Sequence, residues 1–224
     1  QMPHMDGLEC LDRIMIQRPC PVVMVSSVTA EGADATLDAL RLGAVDFVSK
    51  PAGAVSLRIG EFAPTFLEKI RTAASAKLPA SHRLKERVAF RTGGVPAPRA
   101  RPPAREYPES KIVAARGDGL VVVGTSTGGP PALEALLTAL PAHFPWPIVI
   151  AQHMPAGFTA SLAKRLDGIC AIHVVEVTGT TPLDTGCAYI GRGDADVIIS
   201  RRSTGLIATA APAKASYPWH PSTD

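Results

Sequence analysis

A serine flanked by glycines at the close of an apolar run is the residue of this sequence best suited to chemistry. The stretch LVVVGTSTGGPPALEALL, from Leu120, sets Gly124, Ser126 and Gly128 in G-x-S-x-G order between a β-branched run and an amphipathic pattern. A nucleophile elbow needs that context, because a sharp strand-to-helix turn tolerates only small residues beside the serine and lifts its hydroxyl to the sheet edge. Amide groups at the start of the following helix would then face a developing oxyanion. Pro130 and Pro131 suit a first helical turn, where no backbone donor is required. From the loop alone, three readings of Ser126 stay open: a nucleophile, a hydroxyl in an anion-binding loop, or a residue small enough for a tight turn. Gly124 and Gly129 also satisfy the first half of a phosphate-binding loop. Pro130 and Pro131, however, stand where that motif needs Lys and then Ser or Thr, so it lacks its main cation.

His153 favours the first reading. It closes the next apolar run, PIVIAQH, 27 residues after Ser126, and a βαβ unit takes about 30 residues. In a right-handed βαβ unit both strands end at the same edge of the sheet. A serine hydroxyl is a weak nucleophile until a base takes its proton, and His153 is placed to be that base. An acid that orients the imidazole would complete a triad. Asp167, Asp184, Asp194, Asp196 and Asp224 are the candidates for it, and none stands in a suitable strand-end turn. Asp194, in GRGDADV, reads as a turn residue that caps backbone, so no third member is assigned. His143, His173 and His220 show no metal-ligand spacing, and no zinc site is expected.

A second pair lies upstream. Ser26 ends the β-branched run PVVMVS and Lys50 ends VDFVSK, so both fall at the carboxyl edge of a parallel sheet. Ligands bind doubly wound sheets at that edge. A hydroxyl beside an ammonium suits a phosphoryl group, giving one hydrogen bond and one counter-charge. The alternative, an exposed serine and an exposed lysine with no joint task, stays open on these residues alone.

The elements that must hold these residues fall into three regions. Over residues 1–77, strand and helix alternate: GLECLDRIMIQ is helical after Asp6-Gly7, PVVMVSS is a buried strand, ADATLDALRLGA is a helix stopped at Gly43, and VDFVSKP is a strand. SLRIGEFAPTFLEKIRTAASAK is helical despite Gly60 and Pro64. Over residues 78–117 the composition turns to Pro, Arg and Ala, which builds no core and is read as an interdomain linker. From 118 to 224 the alternation resumes, with GLVVVG, WPIVIAQ, AIHVVEV, CAYIG and DVIIS as strands and PPALEALLTAL and FTASLAKRLDG as helices. The expected fold is α/β with parallel sheets in both outer regions.

Composition excludes little but is consistent with this picture. The chain has 224 residues, 46% hydrophobic and 19% charged, with a net charge of +3, too small to argue for nucleic acid. Cys10, Cys20, Cys170 and Cys187 form no CxxC pair, which fits a reducing, cytoplasmic setting. No apolar run approaches the roughly 20 residues of a membrane span. The first residues read as a loop after a strand and the last close no element, so the chain is expected to be cut at both ends.

The segments MPHMDG, PVVMVSS and LGAVDFVSKP resemble a response-regulator receiver domain, and VVVGTSTGGP, IAQHMPAGFTASLAKRL and AYIGRGD resemble the chemotaxis protein-glutamate methylesterase (CheB) family. The resemblance implies a partial receiver with a flavodoxin-like doubly wound sheet, a linker, and the N-terminal part of a Rossmann-like α/β methylesterase domain. It implies a phosphorylation-gated serine hydrolase that demethylates glutamate γ-methyl esters, and can deamidate glutamines, on methyl-accepting chemotaxis receptors. Residue by residue, Ser126 matches the nucleophile, His153 the general base, Ser26 the switch hydroxyl, Lys50 the phosphoryl-pairing lysine and Phe47 the aromatic switch position. Lys50–Pro51 matches a bond that is cis in receivers, and Gln1 the position whose backbone carbonyl binds Mg²⁺. The phospho-accepting aspartate would precede Gln1 by two residues, the acidic Mg²⁺ ligands lie further upstream, and the third triad residue lies beyond Asp224. The fragment itself is therefore expected to be inactive or impaired. The esterase needs no cofactor on this reading, and Mg²⁺ serves receiver phosphorylation. Chemotaxis receptors and a chemotaxis histidine kinase are the implied partners, with no nucleic acid and no membrane insertion. The alternative is a regulatory module that binds an anion or a partner without catalysis.

Overall fold

A computed structural model describes residues 4–27, 29–50, 59–78, 119–214, 216 and 220–221. The chain divides into two units, residues 1–97 and 98–224. The division falls within the stretch 78–117 expected as a linker, nearly all of which lies outside the described residues.

In the first unit, helix α1 (Gly7–Gln17) starts at Asp6, whose carboxylate accepts from the Glu9 amide at 2.8 Å. This is the N-cap that Asp-Gly announces. Leu11 and Met15, four apart, carry its buried face. Strand β1 (Val23–Ser26) is followed by helix α2 (Ala30–Leu42), capped by the Thr29 hydroxyl on the Gly32 amide at 3.0 Å. Gly43 ends α2 at φ 114°, a left-handed conformation that a side chain would strain. Strand β2 (Asp46–Ser49) pairs parallel with β1, Ser26 opposite Ser49, so α2 is the crossover of a βαβ unit. Helix α3 (Ile59–Ala74) packs on β2 and contains Pro64, which removes one amide from the ladder without ending the helix.

The second unit is built on strand β3 (Val121–Thr125), helix α4 (Gly129–Thr138), strand β4 (Ile148–Gln152), helix α5 (Phe158–Ile169), strand β5 (His173–Val177) and strand β7 (Cys187–Gly191). These strands form a parallel sheet in the order β3-β4-β7-β5. All five residues of β4 are buried, which is why its sequence is a continuous apolar run and not an alternating one. Leu133 and Leu137 of α4 and Phe158, Leu162 and Leu166 of α5 bury their helices' inner faces.

A smaller antiparallel sheet was not expected. Strand β6 (Thr180–Pro182), strand β8 (Ala195–Arg202) and strand β9 (Gly205–Pro212) lie in the order β6-β9-β8. The run DVIIS is thus the middle of an eight-residue strand that turns back at Ser203-Thr204. Strand β9, GLIATAAP, is rich in alanine, which is depleted in strands, and so carries little strand signal of its own. Ala208 of β9 packs with Val149, Val177 and Tyr189 of the parallel sheet in one cluster that joins the two sheets. Within it, burial raises the Tyr189 phenol above its usual range, and its oxygen accepts from the Asp184 amide at 2.8 Å.

Candidate active site

Strands β3 and β4 are neighbours in register, Thr125 opposite Gln152, so Ser126 and His153 are each the first residue beyond a paired strand end. The His153 amide donates to the Thr125 carbonyl at 2.9 Å and carries the ladder one step further. Ser126 Oγ then stands 3.4 Å from His153 Nδ1. The serine is exposed and the histidine half-buried, so the hydroxyl is open to solvent. For His153 to take a proton through Nδ1, the neutral ring carries its hydrogen on Nε2.

The elbow itself departs from the simplest expectation. Gly128 adopts φ 76°, the left-handed turn that permits the chain to reverse into α4. The Gly129 amide donates to the Ser126 carbonyl at 2.8 Å. Pro130 and Pro131 have no amide to offer, so whatever this loop contributes to an oxyanion hole comes from the amides ahead of Gly129. The double proline also strips donors from a helix start that a bound phosphate would need.

Gln152 was not singled out by sequence reasoning, yet it is the residue that joins the two halves. The residue is 2% exposed. Its oxygen accepts from Thr125 Oγ1 at 2.8 Å, and its nitrogen donates to the Ser126 carbonyl at 3.1 Å and the His153 carbonyl at 3.0 Å. The sequence signal was faint: a polar side chain inside an apolar strand, which must find partners if it is buried.

Three of the candidate aspartates have other partners. Asp194, at φ 58°, accepts from the Ala156 amide at 3.0 Å and so caps backbone, as its turn implied. Asp196 pairs with His220 Nδ1 at 2.8 Å. Asp167 accepts from the Val174 amide at 2.9 Å, and Asp224 lies outside the described residues. The loop after β7 is pressed against the loop that follows His153. A Cβ on Gly193 would come within 2.3 Å of the Met154 carbonyl oxygen, and the Gly193 amide donates to Thr159 Oγ1 at 3.0 Å.

In the first unit, Ser26 and Lys50 meet at one sheet edge, the Lys50 amide donating to the Ser26 carbonyl at 2.7 Å. The Ser26 hydroxyl donates to the Gly32 carbonyl at 3.1 Å, while Lys50 is exposed. Phe47 is buried, 3% exposed, with Lys69 Nζ 5.1 Å from its ring centroid. Lys69 also donates to the Phe47 carbonyl at 2.8 Å and to Asp46 Oδ1 at 3.0 Å, a clip between α3 and β2 that sequence reasoning missed. Gln1 and Pro51 lie outside the described residues, and with them the backbone ligand and the cis bond expected there. Among the described residues no group of three His, Cys, Asp or Glu side chains is placed to hold a metal ion, so they do not by themselves compose the Mg²⁺ site. Nor is any described helix long and apolar enough to cross a membrane.

Comparison with known proteins adds a family. Residues 121–224 match the profile of the CheB methylesterase and residues 1–59 that of the response regulator receiver domain. The chain is 52% identical, over its whole length, to a protein-glutamate methylesterase/protein-glutamine glutaminase 2 of Rhodopseudomonas palustris, covering 62% of that protein. It is 46% identical over 99% of its length to the corresponding protein 3 of Rhodospirillum rubrum, covering 59% of it. A Vibrio cholerae relative of the same name is 40% identical over 99% of the chain, which covers 58% of it. The chain thus spans about three fifths of the length of these curated relatives.

Proposed function

We propose that the chain, whose residues 121–224 match the CheB methylesterase and residues 1–59 the response regulator receiver domain, serves the hydrolysis of glutamate γ-methyl esters on chemotaxis receptors. The observation that carries this reading is the 3.4 Å approach of Ser126 Oγ to His153 Nδ1 at the ends of two paired parallel strands. His153 Nδ1 takes the Ser126 proton as Oγ attacks the ester carbonyl carbon. The tetrahedral oxyanion collapses, the C–O bond to the methoxy group breaks, and the proton on His153 goes to the leaving oxygen, releasing methanol. Water, deprotonated by the same imidazole, then attacks the acyl-enzyme and frees the glutamate carboxylate and the serine. A glutamine side chain follows the same course with ammonia as the leaving group, in keeping with the second half of the relatives' name.

The receiver supplies the control in this reading. A phosphoryl group from a chemotaxis histidine kinase draws the Ser26 hydroxyl from the Gly32 carbonyl and the Lys50 ammonium toward itself. This shifts the population of receiver conformations. The esterase assignment is tested with methyl-labelled receptor membranes and a protein that spans the full length of the relatives. Wild type releases labelled methanol and Ser126→Ala does not. Undiminished release by the alanine variant would remove Ser126 from the reaction.

A further inference from the structure

We propose that Gln152 is a positioning residue for the reaction, fixing the separation between nucleophile and base. The inference rests on the Ser126–His153 reading. The carboxamide makes three bonds at once, one accepted and two donated, all from a buried site. The two carbonyls it meets can only accept, so they fix which end of the amide is nitrogen, and the Thr125 hydroxyl must donate to the oxygen. Among side chains of this length only a carboxamide offers two donors and one acceptor in a plane. Glutamate offers acceptors alone, and methionine offers nothing of comparable strength.

The two carbonyls belong to Ser126 and His153 themselves. One planar group therefore holds the backbones of both reacting residues, and Gly129 backs its oxygen so closely that no side chain fits between. The separation it sets is on the long side for a hydrogen bond, 3.4 Å, so a small shift decides whether a proton passes. Errors of about 1 Å in such pairs cost on the order of a hundredfold in rate. Thr125 shares the task, because its hydroxyl orients the carboxamide.

The test uses a protein that spans the full length of the relatives, a fluorophosphonate that phosphonylates activated serines, and nitrogen-15 NMR of the His153 ring. In wild type the probe labels Ser126, its rate rises with deprotonation of His153, and Ser126→Ala shifts the Nδ1 resonance. In Gln152→Met, which keeps volume but makes no amide bonds, labelling falls by at least about tenfold, its pH inflection flattens, and Ser126→Ala no longer moves the His153 resonance. Thr125→Val, nearly isosteric, gives a smaller loss of the same kind and carries the test if Gln152→Met does not fold. A structural role alone would lower the unfolding midpoint yet leave the pH profile and the Ser126–His153 coupling of folded molecules intact, and that result overturns the proposal. A wild-type chain with neither labelling nor coupling overturns the Ser–His reading, and the proposal with it.

Discussion

Gly129→Ala isolates the contact on which the site geometry turns. Gly129 is the first residue of α4 and is buried. A Cβ there would lie 1.8 Å from Gln152 Oε1, 2.8 Å from Gln152 Cδ and 2.9 Å from Thr125 Cβ. To restore an ordinary separation the carboxamide oxygen must retreat by roughly 1.5–2 Å, which breaks its 2.8 Å bond from Thr125 and drags the nitrogen off both carbonyls. Overpacking costs about 1–3 kcal/mol, and a buried group left without its partner about 1–3 kcal/mol more. Alanine's helix preference returns at most about 1 kcal/mol. The net expectation is a loss centred on about 3 kcal/mol, together with a fall in fluorophosphonate labelling of Ser126. Both tryptophans, Trp146 and Trp219, belong to the unit 98–224, so tryptophan fluorescence in a urea titration reads that unit's stability by itself. An alanine variant with the wild-type midpoint and the wild-type labelling rate would show that the carboxamide yields without consequence, and the reasoning would fail.

Other expectations follow from the same coordinates. Gly168→Ala, inside α5 with nothing within 4 Å of the new Cβ, should raise that unit's stability by about 0.5–1 kcal/mol, seen as a higher urea midpoint. Lys69→Met takes the ammonium from a carboxylate of 8% side-chain exposure and should cost the first unit about 3 kcal/mol. A double change with Asp46→Asn should recover part of that loss in a thermal double-mutant cycle. Burial, with Glu134 and Asp167 adding to it, raises the Cys170 thiol to about 11, so iodoacetamide at neutral pH should alkylate exposed Cys20 well before Cys170. The unfolded thiol ionises near 9 and the folded one near 11, so the folded state binds the extra proton between those values. The second unit should therefore lose stability as pH rises through that window.

The main lines of the site are legible in the sequence because they depend on local rules. Glycines about Ser126, prolines after it and an apolar run ending in His153 each constrain the backbone within a few residues, and βαβ handedness brings the two ends together. What is not legible depends on contacts across strands. Gln152 looks like one polar residue in an apolar run until β3 is laid beside β4, and Gly129 looks like any helix-start glycine until that carboxamide is placed against it. Lys69 meets Asp46 across 23 positions, a pairing that no periodicity announces. Strand β9 escapes for a different reason: its alanines acquire strand geometry from β8 and from burial against Tyr189, not from any preference of their own.

The placement of Ser126 and His153 on unlike strands has a consequence for how the site comes apart. His153 leaves β4, which is flanked by β3 and β7 and has every residue buried, whereas Ser126 leaves β3, which is outermost among the described strands. Amide exchange at Ile150, which lies between Val123 of β3 and Ile190 of β7, therefore requires the centre of the sheet to open. Fraying of β3 needs only the loss of one ladder. Strand β4, which leads to His153, is anchored at the centre of the sheet, and β3, which leads to Ser126, by a single strand pair. Conditions that loosen the protein without denaturing it should thus free Ser126 first, and with it the Thr125 carbonyl that holds the His153 amide, while β4 itself stays paired with β7.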